Sequence, residues 1–193
     1  MKKEEITGII LAGGKSSRMG RDKGLCQFRG RKLVSYAIET LKPLCGRILI
    51  SANNDFEDYS SFGLEVLPDE VKGIGPMGGI LTCLKQSETQ HNLVLSCDTP
   101  FVTTALFEFL LNNIEKRQVV VPAHQTFLLE PLAAYYATNV LAELNRIVQS
   151  GDYKMMNFFK KVNFGSLAVD ELLPAFSEQL FKNLNTPDDL LRC

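Results

Sequence analysis

Apolar runs and helical spacings alternate along this chain. Residues 6–12 (ITGIILA), 47–52 (RILISA), 64–67, 92–96 (NLVLS) and 118–121 (QVVV) are short and rich in β-branched residues. They are apolar almost throughout rather than on alternate positions, which marks strands buried on both faces. Between them Leu33, Ala37, Ile38 and Leu41 recur at helical spacing until Pro43, and further helical stretches fall near 77–86 and 103–114. Strands that alternate with helices build a mostly parallel sheet with helices on both faces. The expected fold class is α/β, a doubly wound sheet.

The last third is less regular. Residues 128–136 read as another strand and 139–148 as a helix with Val140, Leu141, Leu144 and Ile147 on one stripe. A short helix is expected over 155–161. Thr186, Pro187 and Asp189 supply an N-cap, a proline at the first helical position and a capping-box acid for a final helix. No repeat, low-complexity segment or linker divides the chain, so 1–193 is expected to be one domain.

Composition narrows the classes. Hydrophobic residues at 45% and charged residues at 22% are globular values. No apolar run approaches the roughly 18 residues of a membrane span. The first six residues show no secretory cleavage site, so a cytoplasmic location is expected. Five scattered cysteines without a CxxC pair suggest neither a disulfide framework nor a zinc cage, and two distant histidines leave little room for imidazole chemistry. Any metal should be held by oxygen. A net charge of −1 argues against a nucleic-acid coat. It nevertheless hides an asymmetry: residues 1–47 carry 11 Lys and Arg against 4 acids, net +7, and the remainder 10 against 18, net −8. A solvated basic face and an anion site both fit that imbalance.

In doubly wound sheets ligands lie beyond the carboxyl ends of the strands. That rule nominates residues 13–23, Asn53, Asp69, residues 97–99 and Ala123. The run LAGGKSSRMGRDK (11–23) holds three glycines and four cations, including Arg18 and Lys23. Glycines let backbone N–H groups surround an anion while Arg and Lys neutralise phosphate charge. The run is neither a Walker A loop nor a GxGxxG fingerprint. Asp98, directly after an apolar strand in SCDTP (96–100), can hold Mg²⁺ through oxygen, the ion completing its shell with substrate phosphates. A turn or cap role for Asp98 is the plainer alternative.

LAGGKSSRMGRDK, LPD (67–69), GPMGG (75–79), SCDTP and NLNTPDDL (183–190), in this order over nearly the whole chain, resemble the molybdenum cofactor guanylyltransferase family, the MobA proteins. The resemblance implies a Rossmann-like nucleotidyltransferase fold and transfer of GMP from GTP to the terminal phosphate of molybdopterin, with release of pyrophosphate. By the same resemblance Leu11, Ala12, Gly13 and Gly14 line the nucleotide, and Arg18 and Lys23 face its phosphates. Asp69 contacts the guanine nucleotide and Asp98 holds Mg²⁺. Asn183 and Asn185 match positions on the pterin side. Implied partners are GTP, molybdopterin, other molybdenum cofactor biosynthesis proteins and apo-molybdoenzymes, with neither nucleic acid nor membrane among them.

The chain departs from the family pattern at Ser51, where Asn is frequent, at Glu130, where His is frequent before Pro-Leu, and at Tyr153 and Lys154, which replace a more arginine-rich stretch. Two other readings compete: a cytidylyl or sugar-phosphate nucleotidyltransferase of the same fold, and a non-enzymatic nucleotide-binding adaptor in molybdoenzyme maturation. Asp69 favours guanine, because one carboxylate can accept from N1–H and N2–H together. Lys23 and Asp98 favour catalysis, because binding alone hardly needs a metal carboxylate.

Overall fold

The computed structural model describes residues 1–12, 22–125, 128–174 and 176–192. In chain order it contains β1 (Ile6–Leu11), a 3-10 turn (Lys23–Leu25), a ribbon of β2 (Gln27–Phe28) and β3 (Arg31–Lys32), and α1 (Leu33–Leu41). There follow β4 (Arg47–Ser51), α2 (Phe56–Ser60), β5 (Glu65–Leu67), α3 (Pro76–Gln86), β6 (His91–Ser96) and α4 (Thr104–Asn112). The last part comprises β7 (Val119–His124), β8 (Leu128–Leu129), β9 (Ala133–Ala137), α5 (Leu141–Gln149), α6 (Met155–Phe159), β10 (Phe164–Ala168), α7 (Val169–Leu172) and α8 (Pro187–Arg192).

The strands order as β10-β7-β9-β6-β1-β4-β5, with β8 paired to β7. β1 pairs in parallel with both β4 and β6, and β4 in parallel with β5. β9 is antiparallel to β6 and β7, so the carboxyl ends of β1, β4, β5, β6 and β7 share one edge of the sheet. The strand order reverses between β1 and β6, after α3 carries the chain back past β1. A crevice opens at such a switch point, and ligands bind there in open α/β sheets.

Two apolar layers flank the sheet, as the fully buried strands require. On one face Ala37 and Leu41 of α1, Tyr59 of α2 and Leu106, Phe107 and Leu110 of α4 pack on Ile10, Ile50 and Leu95. On the other, Met77, Ile80 and Leu84 of α3, Leu144 and Ile147 of α5, and Phe158 of α6 cover Ile9, Leu49 and Val94. Every residue of β1, β7 and β9 is buried.

The expected strand over 128–136 is two strands. Pro131 has no N–H to give a ladder, and the chain turns there, with the Glu130 amide bonded back to the Pro122 carbonyl (3.0 Å). The capping box at 186–189 forms: the Asp189 amide donates to Thr186 Oγ1 (3.2 Å) and the Thr186 amide to Asp189 Oδ2 (2.8 Å). The Asn185 amide, which also donates to Asp189 Oδ2 (2.9 Å), and then the Thr186 hydroxyl and amide hold the Asp189 acid below its ordinary range.

Candidate functional site

β1 and β6 deliver their carboxyl ends to the two sides of the switch point. The Cys97 amide donates to the Leu11 carbonyl (3.1 Å) and the Ala12 amide to the Ser51 carbonyl (2.9 Å), so the turns after β1, β4 and β6 are tied to one another. Asp98 stands one residue beyond that tie. Ser96 Oγ donates to its Oδ1 (2.6 Å) and Lys23 Nζ to its Oδ2 (2.6 Å). Asn183, with its amide nitrogen facing the carboxylate, donates to Oδ1 at 3.0 Å and Oδ2 at 3.2 Å. Lys23 Nζ also donates to Asn185 Oδ1. The Leu184 amide between the two asparagines donates to the Asp98 backbone carbonyl (2.9 Å). Residues far apart in sequence thus meet in one polar cluster.

A second cluster lies on the other side of β1. Asp69, just past β5, accepts from Ser51 Oγ at Oδ1 (2.7 Å) and from Asn53 Nδ2 at Oδ2 (2.8 Å). The Asp69 amide donates to Asn53 Oδ1 (3.1 Å). A carboxylate has about four lone-pair sites, so two bonds within the protein leave acceptor capacity for a ligand. The first turn of α3 closes over this group only because it is glycine. A Cβ on Gly78 would stand 2.7 Å from the Val71 carbonyl and 3.2 Å from Asp69 Oδ2, and one on Gly79 would overlap Ser51 Oγ.

Beneath Lys23 lies a buried acid. Asp22 is 6% exposed; Tyr59 Oη and the Gly24 amide both donate to its Oδ1, while Oδ2 has no hydrogen-bond partner among the described residues. Burial raises the Asp22 carboxyl above its ordinary range, against the lowering effect of those two bonds. It also pushes the Tyr59 phenol far up, so the proton stays on the phenol. Cys97 is fully buried and its thiol is pushed well up by burial and by Asp98 and Asp22, which makes it packing rather than a nucleophile.

Of the residues nominated from sequence, Lys23, Asp98, Asn183 and Asn185 are brought together, with Leu11 and Ala12 at the adjoining strand end. Asp69 forms its own cluster with Asn53. Gly13, Gly14 and Arg18 lie outside the described residues. Ser51, noted only as a departure, is a partner of Asp69, and Ser96 of Asp98. Their position on the final residue of a strand was the available signal. The Asp22–Tyr59 pair carried none, because α2 is too short to read.

The donors around Asp98 are all oxygen and nitrogen groups of the hard type. Among the described residues no three His, Cys, Asp or Glu side chains converge. One strand-end carboxylate beside a lysine ammonium fits Mg²⁺, which commonly takes one or two carboxylates plus phosphates and water.

A doubly wound sheet with a lysine–aspartate pair at its switch point and a free-edged carboxylate beside it belongs to the class of nucleotide-handling α/β proteins. Comparison with known proteins narrows the class. The model of the MobA-like NTP transferase domain matches residues 8–167. The molybdenum cofactor guanylyltransferase of Vibrio parahaemolyticus is 35% identical over 188 residues, covering 96% of this chain and 93% of that one. A probable molybdenum cofactor guanylyltransferase of Flavobacterium johnsoniae is 35% identical over 190 residues, 97% of this chain and 95% of the other. The solved structure of molybdopterin-guanine dinucleotide biosynthesis protein A from Archaeoglobus fulgidus superposes with a TM-score of 0.82 at 30% identity, covering 96% and 95% of the two chains. The chain belongs to the family of the MobA-like NTP transferase domain and is a nucleotidyltransferase.

Proposed function

We propose that this chain transfers the GMP unit of GTP to the terminal phosphate of molybdopterin. An oxygen of the acceptor phosphate attacks the α-phosphorus of GTP, a phosphoanhydride bond forms, the bond to the β-phosphate breaks and pyrophosphate leaves. The observation that carries the reading is the meeting of Lys23, Asp98, Asn183 and Asn185 at the switch point, next to the Asp69 cluster.

Such an in-line displacement needs positioning and charge neutralisation more than a covalent nucleophile. Lys23 exchanges Asp98 for a GTP phosphate oxygen and meets the charge that grows as pyrophosphate departs. Arg18 binds the outer phosphates, and Gly13 and Gly14 serve the nucleotide, as the family resemblance implies. Leu11 and Ala12 line the nucleotide, and Asp69 accepts from guanine N1–H and the 2-amino group, steadied by Ser51 and Asn53. Asn183 and Asn185 orient the acceptor on the other side of Asp98. Asp98 would hold Mg²⁺, which when bound supplies positive charge to the phosphates.

Glu130 leaves a second carboxylate on the acceptor side, where burial and the charge of Asp98 raise its acid above the ordinary range. Among the described residues no helix is long and apolar enough to cross a membrane. The reading places the reaction in the cytoplasm, with apo-molybdoenzymes receiving the product.

Thermal shift with GTP, CTP, ATP and UTP, each with Mg²⁺, tests the base. A ligand at 100 times its Kd adds about 2.7 kcal/mol, or roughly 5–11 °C for a chain of this size. GTP should give the largest shift. A larger one with CTP would move the chain to the cytidylyl reading.

A further inference from the structure

His124 closes β7 at the same edge of the sheet as Asp98, yet it has no place in the scheme above. Its Nε2 lies 2.9 Å from Glu130 Oε1, just past β8. An ionised carboxylate only accepts, so this bond sets the imidazole with its hydrogen on Nε2. The ring is buried, and its centroid lies 4.8 Å from that of Phe181, tilted by 30°, and 6.4 Å from that of Phe176. Phe181 is itself buried and precedes Asn183 by two residues. After Asn183, Leu184 is buried with Cys26, Phe28 and Leu33 of the ribbon region.

The segment from 181 to 185 is therefore pinned at Phe181 and at Leu184. Asn183 and Asn185 are exposed, so burial of their own side chains does not hold them in place. Their reach to Asp98 and Lys23 depends on these two pins together with two backbone bonds, from the Leu184 amide to the Asp98 carbonyl (2.9 Å) and from the Asn185 amide to Asp189 Oδ2 (2.9 Å). On one side the pin is ordinary apolar packing. On the other it is Phe181, which joins the main apolar layer and also rests against the His124 ring, whose orientation is set by its part-buried hydrogen bond to a carboxylate.

We propose that Glu130 and His124 are a positioning pair for the acceptor half of the site: Glu130 fixes the His124 ring, the ring seats Phe181, and that seat holds Asn183 and Asn185 against Asp98 and Lys23. The identity of the acceptor rests on the reading of function above; the seat itself does not. The Asp69 cluster is built from β4, β5 and α3, on the far side of β1, and shares no bond with the pair. Acceptor binding and nucleotide binding consequently respond to Glu130 differently.

The test uses the full chain with Glu130→Ala, Glu130→Gln, Phe181→Leu and the Glu130→Ala/Phe181→Leu double variant. Glu130→Ala should raise the KM for Mo-molybdopterin roughly tenfold, the scale expected when a buried donor loses its partner. The KM for GTP and the GTP-induced thermal shift should change much less, because Lys23 keeps Asp98 and the Asp69 cluster is untouched. Glu130→Gln keeps an Oε1 acceptor and should restore the parent value. Phe181→Leu should act in the same direction, and the double variant should do little more than either alone, since both break one chain of contacts. Amide exchange at Leu184, whose N–H bonds to Asp98, should quicken in Glu130→Ala and recover in Glu130→Gln. Equal rises in both KM values, additive effects, or unaltered Leu184 exchange would overturn the proposal. If the parent protein releases no pyrophosphate with this acceptor, the reading of function fails, while the exchange measurement still decides the seat.

Discussion

Gly79→Ala puts a methyl group where the first turn of α3 meets Ser51 and the Asp69 cluster. The new Cβ would overlap Ser51 Oγ and stand 2.9 Å from Leu11 Cδ2 and 3.1 Å from Ser51 Cβ. Overpacking of this kind costs about 1–3 kcal/mol. Ser51 can relieve it only by swinging its hydroxyl away from Asp69 Oδ1, now 2.7 Å distant, and a hydrogen bond to a charged group is worth about 1.5–3 kcal/mol. Alanine returns about 1 kcal/mol through its better helix propensity. The net is about 3 kcal/mol, which lowers Tm by roughly 6–12 °C at this chain length. GTP affinity should fall as well, because Asp69 loses one of the two groups that aim it. Differential scanning calorimetry of Gly79→Ala, Ser51→Ala and the double variant separates the terms. With the Ser51 hydroxyl already gone, Gly79→Ala should cost at least about 1 kcal/mol less than in the parent, the coupling expected of touching residues. Simple additivity, or a Gly79→Ala protein as stable as the parent, would refute the close approach of α3 to Ser51.

Other outcomes follow from the same geometry. Lys23→Ala should lower kcat by about 10² to 10³ with a smaller change in the KM for GTP, as expected for a group whose interaction strengthens in the transition state; steady-state kinetics with varied GTP would read the split. Asp98→Ala should abolish Mg²⁺-dependent turnover with the circular dichroism spectrum retained; activity equal to the parent at saturating Mg²⁺ would remove Asp98 from the metal. Asp22 has a raised acid in the fold, so the folded chain takes up a proton. The stability this provides is complete below the unfolded-state pKa and is lost as pH rises through the folded-state value. Asp22→Asn, which resembles the protonated acid, should therefore gain Tm on the parent as pH rises through the acidic range, a trend visible in thermal melts across pH.

Much of the sheet could be read from the chain because its central strands are buried on both faces. ITGIILA has no polar face to hide its period, and the strand-end rule points from such strands to Asp98, Asp69 and Asn53. Elements that answer to neighbours rather than to their own pattern were not legible. β10 (FGSLA) is only partly buried at the sheet edge, and the two-residue strands of the ribbon are too short for a period. The break at Pro131 is set by how β8 and β9 share β7. Asn183 and Asn185 came from motif resemblance, and nothing in spacing could bring them to Lys23, which lies at the other end of the chain. Glu130 stood out only as a departure; its bond to His124 depends on the antiparallel register of β8 on β7, which no local pattern specifies.

The most direct measurement is product analysis. The purified chain, Mg²⁺ and Mo-molybdopterin are incubated with each of GTP, CTP, ATP and UTP, and the pterin product is weighed by mass spectrometry while pyrophosphate is counted. Guanylyl transfer predicts a pterin carrying one GMP unit, one pyrophosphate released for each, and little product from the other three nucleotides. A pterin carrying CMP in preference, or GTP bound without any pyrophosphate released, would contradict it.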